Sequence, residues 1–165
     1  MPVAYCCRVK RIALSAVLCY LAAVGTAAAA GEGRVVVQQG IAGLRLGMTQ
    51  SQVKAKVGLP ARVERGRNEL GPYTTYRYRT YSVTFFAGPR ATQIETRSPR
   101  ERTARGIGVG STRAAVRANV AGVRCLIEFG YDHCYVGVWK PGRKITDFAI
   151  ENGRVARVSI GYVID

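Results

Sequence analysis

The sequence predicts an α+β protein made of two tandem units, each a short helix packed on a four-stranded antiparallel sheet (αββββ twice). Three observations carry that reading. A glycine turn leading through a threonine into a short helical stretch occurs twice, as Gly47-Met48-Thr49 and as Gly110-Ser111-Thr112, sixty-three positions apart. Four strand-like runs separated by turn residues follow each copy. The last hairpins also correspond, Gly88-Pro89-Arg90 with Asn152-Gly153-Arg154, one residue further apart. A single long period in a chain of 165 residues implies two copies of one unit, not a long solenoid.

Residues 1–30 stand apart from the fold. They combine Arg8, Lys10 and Arg11, an apolar run from Ile12, and small residues ending in Ala28-Ala29-Ala30, the composition of a secretory signal peptide cleaved before Gly31. The alternative is an uncleaved anchor, since Ile12 to Ala30 is 19 residues and nearly long enough to cross a bilayer. A lipid anchor is disfavoured, because bulky Leu18 directly precedes Cys19. The remaining residues, 31–165, fall in the size range of a single domain with its own core. They carry a formal charge of +12, since three of the 25 basic residues and none of the 10 acidic ones lie in 1–30. The basic residues are dispersed, mostly arginine, and read as coding bias; attraction to anionic partners is the competing reading.

Residues 31–40, with Val35-Val36-Val37, read as a leader or a short edge strand. The first unit spans 41–97. Thr49 followed three residues later by Gln52 is a capping box, so a helix starts at Gln50. Val53 and Val57 share its buried face, and Gly58 with Pro60 ends it. Strands follow near 61–67, 73–79, 81–87 and 91–97, with Tyr76 and Tyr78 alternating against Arg77 and Arg79 across the two sheet faces. Residues 98–106 form a charged linker containing Pro99.

The second unit, 107–165, repeats the valine spacing as Val116 and Val120, with a weaker cap because Ala115 stands where Gln52 stood. Its strands run near 123–128, 133–139, 144–151 and 154–163. Within it, Cys125 and Cys134 fall opposite each other on a hairpin centred on Phe129-Gly130 and predict a cross-strand disulfide. They should share the apolar, helix-covered side with Val123, Ile127, Val136 and Val138. A loop this short contributes roughly 2.7 kcal/mol in the chain-entropy account.

Gly-Met-Thr, a short helix with valine at the fourth position after the threonine, and Gly58-x-Pro60 together resemble the opening of the BamE/SmpA envelope proteins. Tandem use of such a unit before antiparallel strands is similar to the secreted β-lactamase inhibitor proteins. The resemblance covers Ile41 to Asp165 and implies a fold more than a function. The second copy departs from it, with Ser111 for Met48 and no counterpart of Gly58 and Pro60. No binding residues carry across.

No catalytic constellation assembles from the sequence, and no cofactor or metal is expected. The one histidine, His133, should project from an exposed strand face, beside a cysteine that is oxidised. Glu128 and Asp132 flank a hairpin turn, where acidic residues serve conformation. Gly108-x-Gly110 lacks the strand, third glycine and acidic residue of a dinucleotide site. The surface singled out is the sheet face away from the helices. Alternation assigns to it Arg77, Arg79 and Tyr81 from the first unit, and Arg124, Leu126, Tyr135, Trp139, Val155 and Arg157 from the second. Aromatic residues and arginines are enriched in binding hot spots, although exposed aromatics also stabilise sheets by cross-strand pairing.

The sequence therefore leads to the expectation of a secreted or envelope, monomeric, non-enzymatic protein. It binds another protein through that face, with enzyme inhibition as the sharper version. Attachment to an anionic polymer or membrane surface is the alternative, and nucleic acid is not an expected partner.

Overall fold

Two of the strands that the sequence leaves at sheet edges pair with each other, and this decides the architecture. The structure, a computed structural model, describes residues 34–164; the signal-peptide reading, its cleavage position and Cys6, Cys7 and Cys19 lie outside them. In chain order the elements are β1 (Val35–Val36), β2 (Gly40–Ile41), β3 (Leu44–Arg45), α1 (Gln50–Val57), β4 (Arg62–Asn68), β5 (Gly71–Arg77), β6 (Tyr81–Phe86), β7 (Ala91–Thr96), α2 (Arg113–Asn119), β8 (Arg124–Glu128), β9 (Tyr131–Gly137), β10 (Lys144–Glu151) and β11 (Arg154–Tyr162).

Strands β4 to β11 form one eight-stranded sheet in the order β4-β5-β6-β7-β11-β10-β9-β8, antiparallel throughout. Strands β1, β2 and β3 form a second, three-stranded sheet. The expected pair of helix-plus-sheet units is thereby overturned: the described residues are mostly β, and the two helices among them are only eight and seven residues long. The physical reason lies at the β7–β11 seam. Strand edges carry unpaired N–H and C=O groups, and pairing Ile94 with Ile160 and Thr96 with Val158 satisfies them while merging two apolar faces into one core.

One face of the large sheet is covered by α1, α2 and the small sheet. The shared core contains Val35, Ile41, Leu44, Val53, Val116 and Phe148 together with Tyr76, Val83, Phe85, Ile94, Val158 and Ile160. Residues 34–45, read from sequence as a leader and the opening of a unit, are thus part of the lid over the core. The segment 98–106 is tied down as well: Val35 donates to the Arg102 carbonyl at 2.9 Å, and Glu101 is buried.

Local chemistry explains both helices. At α1 the capping box forms, with Gln52 N–H donating to Thr49 Oγ1 at 3.2 Å and Thr49 N–H to Gln52 Oε1 at 2.9 Å. Gly58, at φ 82°, ends the helix in a conformation only glycine adopts freely. At α2, Thr112 accepts from Ala115 N–H at 3.1 Å with no reciprocal side chain. Each glycine turn is clamped onto the start of a strand. Arg90 donates to the Gly47 carbonyl and Arg154 to the Gly110 carbonyl, both at 3.0 Å.

Candidate functional site

The face of the large sheet opposite the helices is built by alternation along every strand. The pairings line up one row of neighbours across the whole sheet: Arg62, Arg77, Ser82, Glu95, Ser159, Asp147, Tyr135 and Arg124. A β-bulge in β11 adds a feature that simple alternation misses. Ala149 pairs with Arg157 and Ile150 with Val155, leaving Ala156 over, so that Val155 turns into the core while Arg157 faces the open side. The expectation that Val155 shares the open face is corrected accordingly.

A connected polar network occupies the β7–β11–β10–β9 part of this face. His133 Nδ1 lies 2.7 Å from Asp147 Oδ1, and Tyr131 Oη donates to Asp147 Oδ2 at 2.6 Å. Arg157 Nη2 donates to Tyr131 Oη at 2.9 Å, and Arg157 Nε lies 3.8 Å from Glu95 Oε2. The carboxylate of Asp147 can only accept, so Nδ1 of His133 carries the hydrogen. Nε2 of His133 is buried with no hydrogen-bond partner among the described residues. Burial, followed by the hydrogen bond and charge of Asp147, pushes the Tyr131 phenol up to about 12. Burial works against the Arg157 guanidinium, but the Tyr131 oxygen and the carboxylates of Glu95 and Asp147 outweigh it and raise its pKa.

Aromatic rings enclose the network on one side. Trp139 folds back onto β9 and meets His133 edge-on at 5.2 Å and Tyr135 at 5.3 Å between ring centres. A cavity of about 500 Å³ opens beside them, with Gln93, Tyr131, Trp139, Asp147, Arg157 and Tyr162 in its lining. Trp139 remains 46% exposed at its rim.

The structure brings Tyr135, Trp139 and Arg157 together and disperses the other predicted residues. Tyr135 is only 8% exposed, so it supports the surface and does not present itself. Leu126 is half-buried opposite His133, and Arg124 is exposed opposite Tyr135. Arg77 is exposed near the far edge of the sheet, where it pairs with Glu64 at 2.9 Å; that hydrogen bond holds the Glu64 carboxyl below its usual range. Arg79 lies in the β5–β6 turn and lines a separate cavity of about 280 Å³ with Arg97 and Ser98. Tyr81 is on the helix side, stacked on Tyr78 at 5.1 Å, because it shares parity with the core residues Val83 and Phe85.

His133, expected to be exposed, is 1% exposed, because Trp139 and the neighbouring tyrosines cover it. Ile127 and Val138, expected under the helices, are 63% and 51% exposed; the helix layer does not extend over them. The Cys125–Cys134 disulfide is present, with the two residues directly opposite each other. Tyr131, Asp147 and Glu95 were not singled out from the sequence. The available signals were the ring-bearing alternation Tyr131-x-His133-x-Tyr135 and a carboxylate inside the apolar run of β10. Among the described residues no group of three metal-ligating side chains comes together.

The sequence matches no protein-family model and no curated protein. Three solved structures are similar in part. An extracellular SCP-domain protein from Bacillus anthracis aligns at 9% identity with a TM-score of 0.47, over 71% of this chain and 44% of its own. A DUF4309 family protein from Bacillus subtilis aligns at 19% and 0.49, over 79% and 88%. A cysteine-rich secretory protein from Staphylococcus aureus aligns at 12% and 0.46, over 76% and 46%. This chain thus spans less than half the length of the first and third, and likenesses at this level carry no argument about function.

Proposed function

We propose that the chain is an exported, non-enzymatic binding protein that engages another protein through the open face of its eight-stranded sheet, at the cavity beside Trp139. The observation that carries this reading is the combination of an exposed aromatic rim, Trp139 and Tyr162, with an Arg157–Tyr131–Asp147–His133 network already fixed by hydrogen bonds. Aromatic and arginine side chains dominate interface energetics. A prearranged network also reduces the ordering cost of binding. Export is supported by the composition of residues 1–30 and by the disulfide, which persists in oxidising compartments. Among the described residues no helix is long and apolar enough to cross a membrane.

Enzyme inhibition is the sharper form of the same proposal. The proposal gives the Asp147–His133 pair a structural part: among the described residues no hydroxyl or thiol is hydrogen-bonded to Nε2, and Cys134 is oxidised. The test is affinity capture from culture fluid and envelope extract with the intact chain, followed by measured binding of the captured protein. Trp139→Ala and Tyr162→Ala should each weaken that binding by about tenfold or more, while Arg79→Ala leaves it unchanged. Equal retention by all three variants would remove the site from consideration.

A second reading, electrostatic attachment to anionic polymer or lipid head groups, draws on the exposed Arg62, Arg65 and Arg67 of edge strand β4. It requires retention that falls steeply with salt. Salt-insensitive retention excludes it.

A further inference from the structure

Strand β8 is the last strand of the large sheet, and among the described residues it has no outer neighbour. Its free edge has a defined chemistry. The Cα atoms of Cys125 and Cys134 are 3.9 Å apart, the close spacing of a non-hydrogen-bonded antiparallel pair. Arg124, Leu126 and Glu128 therefore direct their N–H and C=O groups to β9, and Cys125 and Ile127 direct theirs outward. The disulfide holds this edge against β9.

The two edges of the sheet differ. Strand β4 carries Arg62, Glu64, Arg65 and Arg67 with Gly66 among its seven residues, the charged pattern that keeps an edge from pairing. Strand β8 carries no proline, glycine or central charge. It carries Ile127, 63% exposed, and the hairpin-tip Phe129, 107% exposed, follows it directly.

We propose that β8 is the seam of a homodimer, in which two copies pair this strand antiparallel about Leu126. This occupant is argued from self-complementarity. With Leu126 opposite Leu126 of the partner subunit, Arg124 faces Glu128 of the partner subunit at both ends. Of the registers that place outward-facing backbone groups opposite each other, only this one brings the two opposite charges together. It also sets Cys125 against Ile127 of the partner subunit, twice by symmetry, and each such pair exchanges two backbone hydrogen bonds. Ile127 and Phe129 then lie over Cys125 and Val123 of the partner subunit. The result is a symmetric interface, in place of the monomer expected from sequence. A strand of five residues makes a small contact, so the dimer is concentration-dependent.

The proposal stands apart from the binding face, because it uses the edge and not the cavity. Sedimentation velocity of the intact chain over a wide concentration range should show the mass rising from monomer to dimer. Arg124→Glu and Glu128→Arg should each weaken self-association by about tenfold or more, by setting like charges opposite each other. An equimolar mixture of the two variants should recover a one-to-one dimer, since each supplies the charge the other lacks. Ile127→Pro removes an outward N–H and should also give monomer, with circular dichroism reporting the retained fold. A chain that stays monomeric at every concentration overturns the proposal. So does a dimer indifferent to these substitutions, or charge variants that fail to recover on mixing.

Discussion

His133 and Asp147 meet at 2.7 Å on neighbouring strands, nearly excluded from water. The same carboxylate accepts from Tyr131, so one aspartate holds two ring-bearing side chains. Replacing it by alanine leaves His133 Nδ1 buried without its partner and frees the Tyr131 hydroxyl from one of its two. Asp147→Ala should lower stability by about 2–4 kcal/mol in urea unfolding, given the cost of unpaired buried polar groups. A loss below about 1 kcal/mol would mean that the two hydrogen bonds to Asp147 are not formed as described.

Tyr131 gives the network a pH dependence at the alkaline end. Its folded pKa, pushed up to about 12, exceeds the ordinary phenol value of 10. The protonated phenol is therefore the form that folding favours. Its contribution is fully present below pH 10 and is lost as pH rises from there through 12. Unfolding measured along that range should show a fall in stability that is shallower in Tyr131→Phe. Identical profiles would refute the assignment.

The disulfide closes a short loop, with Cys125 and Cys134 nine residues apart. Reduction, or the paired change of both cysteines to serine, should cost about 2–3 kcal/mol in guanidinium unfolding. Because β8 is an edge strand, hydrogen exchange should rise first at Arg124–Glu128. Uniform acceleration across the sheet would contradict that localisation.

Gly40 tests the role of the small sheet. A Cβ placed there would lie 1.7 Å from the Leu44 carbonyl oxygen, a backbone atom that cannot move without opening the β2–β3 pair. Gly40→Ala should destabilise by more than about 2 kcal/mol, measured by thermal melting. Gly88→Ala, where the same atom meets open space, should be close to neutral.

Local chemistry was legible in the chain because it depends on neighbours in sequence. The Thr49–Gln52 box, the Gly58 stop, the Asn152-Gly153 hairpin and the cysteine register all follow from spacings of a few residues. Burial of His133 was not legible, since it depends on Trp139 folding back after the strand has ended. Nor was the placement of Val155: a one-residue bulge at Ala156 breaks the alternation that would put Val155 and Arg157 on one face, and no sequence signal announces it. The polar network draws Glu95, Tyr131, Asp147 and Arg157 from four strands, two of which meet only across the central seam.

The sequence by itself determined where the two helices and the hairpins of the large sheet begin, and which cysteines face each other, because capping, turn and alternation rules act within a few residues. Only the tertiary structure decided that β7 joins β11, that residues 34–45 close over the core, and which open-face residues are exposed. Those outcomes turn on edges finding partners and faces finding cover. The hydrogen-bonding capacity of a strand edge is the same whatever its neighbour, so nothing local in Ile94 or Ile160 names the other.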